Sequence, residues 1–220
     1  LITDAKKRGA DVSCETCPHY LVLTENDTLK LGAVAKCAPP LRPARERDAL
    51  WERVVAGDVA TIGSDHSPSP PEMKQNTNFF KVWGGISGVQ HLLPLLLGAP
   101  EAIERLGGRA GETVLADGVA LPGKALALIA RLTSFNVPDR FGLPKTKGRI
   151  AVGADADLAL IDFREKCSVR AEDLFYRHKQ SPYVGRTLTG RVVQTILRGQ
   201  TIFQRGQIVS RRRGQLIKPL

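Results

Sequence analysis

Val59-Ala60-Thr61-Ile62-Gly63 is a short apolar run, and Ser64-Asp65-His66-Ser67-Pro68 follows it without a break. A run this short and this apolar reads as a strand buried on both faces. Residues 43–56 before it read as a helix. Pro43 suits the first turn, Leu50, Trp51, Val54 and Val55 fall on one face, and Gly57 ends it. Residues 11–17 read as another short strand, and residues 4–8 as the end of a helix closed by Gly9. Strand, helix, strand in that order argues for a parallel sheet covered by helices, an α/β fold.

Downstream of Asp65 the texture changes twice. Residues 66–90 are irregular and rich in Pro, Asn and Gly. A long loop directly after a buried strand is often functional, and this one is expected to form a pocket wall and lid. Residues 91–140 read as mostly helical, with breaks at Gly107-Gly108 and at Leu121-Pro122-Gly123. From Lys147 onward, β-prone runs at 158–162, 191–197 and 201–203 alternate with glycine turns, as in an all-β module. The expected division is therefore 1–147 and 148–220.

Composition bounds the function classes. With 220 residues, 42% hydrophobic and 25% charged, the chain is an ordinary globular one. No apolar run approaches the ~20 residues of a membrane span, and no signal peptide is visible. The chain begins with Leu1, and the expectation is a piece of a longer protein. Cys14, Cys17, Cys37 and Cys167 are too scattered for a disulfide framework, which points to a reduced, cytoplasmic setting. Cys14 and Cys17 form a C-x-x-C, but no second pair stands at zinc-finger spacing, so both are expected in or beside a buried strand. The net charge of +10 is carried by residues 131–220, with 18 basic and 7 acidic residues. These basic residues are dispersed apart from Arg211-Arg212-Arg213, with few aromatics between them for base stacking. A solvated surface accounts for them better than nucleic acid does.

Asp65 carries the strongest chemical signal. In a (β/α)8 barrel, catalytic side chains stand at the C-terminal ends of strands, which is where this carboxylate falls. It could bind a divalent metal, and it could take a proton from a metal-activated water. An aspartate here also serves as the ordinary cap of a following turn, and spacing alone does not separate the two.

A resemblance does. Cys14-Glu15-Thr16-Cys17-Pro18-His19-Tyr20-Leu21 is followed by Lys36-Cys37-Ala38-Pro39-Pro40-Leu41-Arg42, then by Ser64-Asp65-His66-Ser67-Pro68 and Trp83-Gly84-Gly85-Ile86-Ser87-Gly88. Gly148-Arg149-Ile150-Ala151-Val152-Gly153-Ala154-Asp155-Ala156-Asp157-Leu158 completes the series. Their order and spacing resemble the cyclic amidohydrolases of the amidohydrolase superfamily, a group with dihydroorotases, hydantoinases and allantoinases. The segments Ser67-Pro68-Ser69-Pro70-Pro71-Glu72-Met73-Lys74 and Tyr176-Arg177-His178-Lys179-Gln180-Ser181-Pro182-Tyr183-Val184-Gly185 are most similar to the allantoinase branch.

The resemblance implies the C-terminal part of a metal-dependent (β/α)8 barrel plus part of a small β-sandwich. It implies that Asp65 matches the eighth-strand aspartate, a metal ligand that passes a proton to the leaving amide nitrogen. It implies substrate contacts, largely through backbone, at Ala38, Gly84 and Gly85; many relatives carry Ser where Ala38 stands. His66 is expected behind Asp65, orienting the carboxylate or lining the pocket. Two divalent ions are implied, most simply zinc, with manganese, cobalt or iron as alternatives, bridged by a carboxylated lysine. That lysine, the H-x-H pair and two further histidine ligands are expected upstream of Leu1. His19 belongs to a seventh-strand motif that supplies no ligand in relatives; His91 is expected to be packed, and His178 to line an interface or cover the pocket.

The implied activity is hydrolysis of a cyclic ureide, allantoin to allantoate, by a homotetramer in the cytoplasm. The alternatives are a hydantoin, dihydropyrimidine or dihydroorotate substrate, or a non-catalytic scaffold. No membrane or nucleic-acid partner is expected. The isolated chain, lacking the other barrel strands, is expected to be poorly soluble and inactive.

Overall fold

The computed structural model describes residues 1–106, 112–114, 120–211 and 214–220. The expected breaker Gly107-Gly108 and the Arg212-Arg213 part of the basic run lie outside the described residues. In chain order come α1 (Ile2–Lys7), β1 (Glu15–Thr16), α2 (Pro18–Val22), α3 (Glu25–Leu31), α4 (Ala44–Val55) and β2 (Thr61–Ile62). After the long loop follow α5 (Leu92–Gly98), α6 (Pro100–Arg105), β3 (Glu112–Val114), β4 (Ala120–Pro122), α7 (Gly123–Ala130) and α8 (Asn136–Phe141). The chain ends with β5 (Leu158–Ser168), β6 (Thr187–Leu197), β7 (Gln200–Gln204) and β8 (Gln207–Ile208).

The strand–helix–strand reading holds. β1 and β2 are parallel neighbours, Glu15 opposite Thr61 and Thr16 opposite Ile62. Ala60 N–H to the Cys14 carbonyl (2.9 Å) and Gly63 N–H to the Thr16 carbonyl (3.0 Å) extend the ladder at both ends. The first strand is shorter than the expected 11–17. Val12 donates its N–H to the nearby Ala10 carbonyl at 3.0 Å, a tight turn that keeps this end out of the ladder. Pro43 stands one residue before α4, as its cap. Trp51 and Val54 are buried as expected, whereas Val55 is 52% exposed and off the packed face. Asn136, the first residue of α8, donates its Nδ2 to the Ala60 carbonyl at 2.8 Å, satisfying a polar group beside β2.

Residues 91–140 are less uniformly helical than expected. β3 and β4 form an antiparallel pair, and the Leu121-Pro122-Gly123 break is a strand passing into α7. Beyond residue 147 the β reading holds: β5-β6-β7-β8 is a four-stranded antiparallel sheet containing all three expected runs. Its first strand starts at Leu158. Before it, Lys147 bridges Asp155 (2.9 Å) and Asp157 (2.5 Å), pinning the turn-rich Gly148–Asp157 segment.

One core joins these parts. Leu21, Trp51, Val54 and Ile62 from the parallel unit share it with Leu95 and Leu96 of α5 and with Leu174, Tyr183 and Leu188 from the later region. α5 lies so close to β6 that a Cβ on Gly98 would fall 1.9 Å from the Thr189 carbonyl oxygen, so only glycine fits. Trp51, 1% exposed, fills the floor and donates its indole N–H to the Leu21 carbonyl at 2.8 Å. Trp51→Ala in the whole protein is expected to cost about 3–5 kcal/mol, from the cavity left behind. Denaturant titration checks this, and a loss under ~1 kcal/mol would mean the site collapses freely.

Candidate functional site

The site is built where β1 and β2 end. Ile62 closes β2, Gly63 and Ser64 continue it, and Asp65 then turns the chain with a φ of 44°. Positive φ is uncommon outside glycine, though Asp tolerates it better than most, and such outliers persist where surrounding contacts hold them. The next residues are captured at once: His66 pairs with Ile86, and Ser67 donates its N–H to the Ile86 carbonyl at 2.9 Å. The turn leaves the Asp65 carboxylate exposed.

His19 holds this turn from below. It is fully buried at the start of α2, one residue after Pro18. Its Nε2 lies 3.3 Å from the Asp65 backbone oxygen, and its Nδ1 lies 2.6 Å from the Tyr183 hydroxyl. A carbonyl oxygen only accepts, so Nε2 carries the proton, and the tyrosine O–H donates to Nδ1. Burial lowers the His19 pKa, and burial raises that of Tyr183 well above its ordinary value, so both stay neutral in these roles. Gly88 packs on the same ring: a Cβ there would lie 2.7 Å from His19 Cε1 and 2.4 Å from the Ser64 carbonyl oxygen.

Cys17, His19 and Asp65 offer ligand atoms within 4.8 Å of one another. Distance alone would admit a cation, but the donor chemistry admits only one of the three. Burial pushes the Cys17 thiol up to about 12, so a thiolate is costly there, and Sγ sits 4.0 Å from Asp65 Oδ2 as a weak donor. Both His19 nitrogens are occupied by protein. Asp65 alone presents a free-facing carboxylate, which fits one oxygen ligand of a divalent ion.

Ala38 is exposed and lies against Gly84, and Gly85 lies against Ser67. His66 does not spend its ring nitrogen on the Asp65 carboxylate. Its Nδ1 accepts the N–H groups of Gly88 (3.1 Å) and Val89 (3.4 Å), and its ring sits 5.0 Å from that of Tyr176. His91 is packed as expected, its Nδ1 3.3 Å from the Tyr176 hydroxyl, which also accepts the Gln90 N–H at 3.1 Å. His178 is half-buried, and its carbonyl accepts the Gln180 N–H at 2.8 Å.

Sequence reasoning gave no role to Tyr176, Gln180 or Tyr183, although their segment was singled out. Gln180 donates its Nε2 to the Ser69 carbonyl at 2.6 Å, anchoring the long loop where it leaves Asp65. The segment thus supports the site through three side chains spaced along it. An isolated Tyr or Gln carries no local signal of such a long-range contact. His19 also was set aside as a non-ligand, and its grip on the Asp65 backbone had no sequence signature.

The sequence profile of the Amidohydrolase family matches residues 19–202. An allantoinase of Rubrobacter xylanophilus is 51% identical over 219 residues, covering 100% of this chain and 44% of that protein. One from Deinococcus radiodurans is 44% identical over 219 residues, with the same coverage. Among solved structures, an L-hydantoinase (dihydropyrimidinase) from Arthrobacter aurescens superposes with a TM-score of 0.82 at 31% identity, covering 96% of this chain and 43% of that one. A dihydropyrimidinase from Brevibacillus agri gives 0.79 at 29% identity, with 94% and 42% covered. The chain spans less than half the length of each of these relatives.

Two predictions follow from the packing. Gly88→Ala should push His19 off the Asp65 carbonyl and lower kcat at least about tenfold, since displacements near 1 Å are costly at such sites; steady-state assays of the whole protein check it, and unchanged kcat would contradict it. Burial lowers His91 to about 4, so the native state stays neutral while unfolded chains protonate below 6.5. Stability is therefore lost as pH falls from about 6.5 toward 4, by at most ~1.4 kcal/mol per unit. His91→Gln should flatten that part of the Tm-against-pH curve, and an unaltered slope would contradict the assignment.

Proposed function

The chain belongs to the amidohydrolase family, and from that premise we propose that it forms the Asp65-bearing part of an enzyme that hydrolyses allantoin to allantoate. The single observation that carries this reading is the Asp65 carboxylate: exposed at the end of β2, turned by a positive φ, and held through its backbone by buried His19. The allantoinases at 51% and 44% identity support the choice of substrate.

A divalent metal centre, when bound, supplies an activated water at neutral pH and polarises the carbonyl under attack. By family resemblance two divalent ions, zinc first, would be held there, with a carboxylated lysine as a further ligand. Asp65 would be this chain's ligand. Its carboxylate also accepts the proton of the attacking water and returns it to the amide nitrogen as the ring opens. His19 holds the backbone of that residue from a buried, neutral position, so its own charge does not compete. The backbone at exposed Ala38, half-buried Gly84 and buried Gly85 would contact the cyclic ureide, and His66, tied to Gly88 and Val89, would line the pocket beside it. The loop at 66–90, anchored by Gln180, would wall the pocket and close it against water.

We also place residues 1–147 in the barrel and 148–220 in the β-sandwich of a homotetrameric, cytoplasmic protein. No helix among the described residues is long and apolar enough to cross a membrane. The hydantoinase and dihydropyrimidinase neighbours favour a second substrate reading, a hydantoin or dihydropyrimidine ring. Parallel assays of the whole protein on allantoin, hydantoin and dihydroorotate separate the two, and preference for either of the last two would displace allantoin.

Asp65→Asn keeps the shape and removes both the charge and the proton acceptor. It should lower kcat by about 10²–10⁴-fold, the usual worth of general acid–base catalysis, while the melting temperature stays near wild type. Activity within a few-fold of wild type after metal reconstitution would remove Asp65 from the mechanism.

A further inference from the structure

Two lysines hold the loop that follows Asp65, and neither forms an ion pair among the described residues. Lys74 ends the one-turn helix Pro71–Lys74. Its Nζ donates to the carbonyls of Gly85 (2.8 Å), Trp83 (2.9 Å) and Lys36 (3.3 Å). The Lys36 Nζ in turn donates to the carbonyls of Phe79 (2.6 Å), Val82 (2.7 Å) and Phe80 (3.3 Å), and it lies 5.0 Å from the centre of the Phe79 ring. An ammonium has three N–H donors, and each of these two meets three backbone carbonyls. The backbone at 79–85 is therefore fixed by side chains from outside it rather than by a strand ladder. The Trp83 N–H closes the arrangement by donating to the Met73 carbonyl at 2.9 Å.

We propose that Lys74 is a positioning residue for substrate recognition: bound to the carbonyls on both sides of Gly84, it sets the backbone wall at Gly84-Gly85 that the cyclic substrate meets. The assignment rests on the reading of Gly84 and Gly85 as substrate contacts. Lys74 does not need to touch the substrate itself, because its donors are spent on the wall. Replacing it leaves three carbonyls without their donor, and the segment has glycines at 84 and 85 to move with.

The charge state of Lys74 offers a readout that a purely structural lysine would not give. Burial is the first cause of a pKa pulled down to about 8; neighbouring Cys37 acts against this, and Lys36 acts with it. Above that pH the amine keeps two N–H groups for three carbonyls. The wall therefore loosens as pH rises, and KM rises with it.

The test uses the whole protein, as wild type, Lys74→Met and Lys74→Arg. Steady-state kinetics on allantoin run from pH 6.5 to 9.5, and hydrogen exchange at the Trp83 amide is measured without substrate. Lys74→Met should raise KM about tenfold with kcat within about threefold, the signature of lost binding rather than lost chemistry. The Trp83 amide should exchange faster, and the rise of KM above pH ~8 should vanish. Lys74→Arg keeps donors but does not titrate, so its KM should be flat over the same range. A Lys74→Met protein with wild-type KM, pH profile and Trp83 exchange overturns the proposal, even if its melting temperature falls. If wild type does not turn over allantoin, the substrate reading fails separately, and Trp83 exchange alone decides: faster exchange in Lys74→Met supports the wall, unchanged exchange overturns it.

Discussion

The hydrogen bond from the buried His19 imidazole to the Asp65 backbone carbonyl is the constraint on which the rest of the site depends. It joins a residue that follows β1 to one that follows β2. Asp65 stands at a positive φ with its side chain exposed, a conformation with little intrinsic preference for a non-glycine residue. What holds it is a neutral ring whose other nitrogen is fixed by Tyr183 and whose face is covered by Gly88. Neutrality matters. A protonated His19 would reverse the Tyr183 bond, its Nδ1–H donating to the phenol oxygen, and would place a charge in the core. Burial keeps the proton off, so the same packing that forms the core also fixes the tautomer.

This arrangement explains why distant sequence segments belong together. The segment bearing Tyr176, Gln180 and Tyr183 lies more than a hundred residues from Asp65, yet it reaches His91, Ser69 and His19 respectively. The parallel unit, α5 and this segment share one hydrophobic core. Gly98 lets α5 approach β6 closely enough for that core to close. The Asp65 carboxylate is thus exposed, while His19, Tyr183 and Gly88, which hold its turn, are buried.

Much of the fold was legible in the sequence because it follows local rules. The run at 59–63, the helix after Pro43 and the glycine stop at Gly57 each obey short-range preferences, and the parallel unit followed from their order. The strand at 11–17 was read too long because alternation says nothing about where a neighbouring ladder ends. β3 and β4 were missed among helical signals because three-residue strands carry almost no periodicity. Motif order singled out Asp65, Ala38, Gly84 and Gly85 as candidates, and the structure sets Ala38 against Gly84 and Ser67 against Gly85. His19 was not, since a buried histidine bonded to a backbone oxygen looks the same in sequence as any packed histidine. The lysine contacts to 79–85 were equally silent, because backbone carbonyls offer no residue-type signal.

Asp65 as metal ligand and His19 as holder of backbone are distinct proposed roles, although both residues lie within reach of one ion. Anomalous diffraction from crystals of the whole protein grown with zinc distinguishes these roles directly. Metal density is expected about 2.0–2.2 Å from an Asp65 carboxylate oxygen, with His19 Nε2 still bonded to the Asp65 carbonyl and the Cys17 sulfur unbound. Metal ligated by His19 or Cys17, with the Asp65 carboxylate turned away, would contradict it.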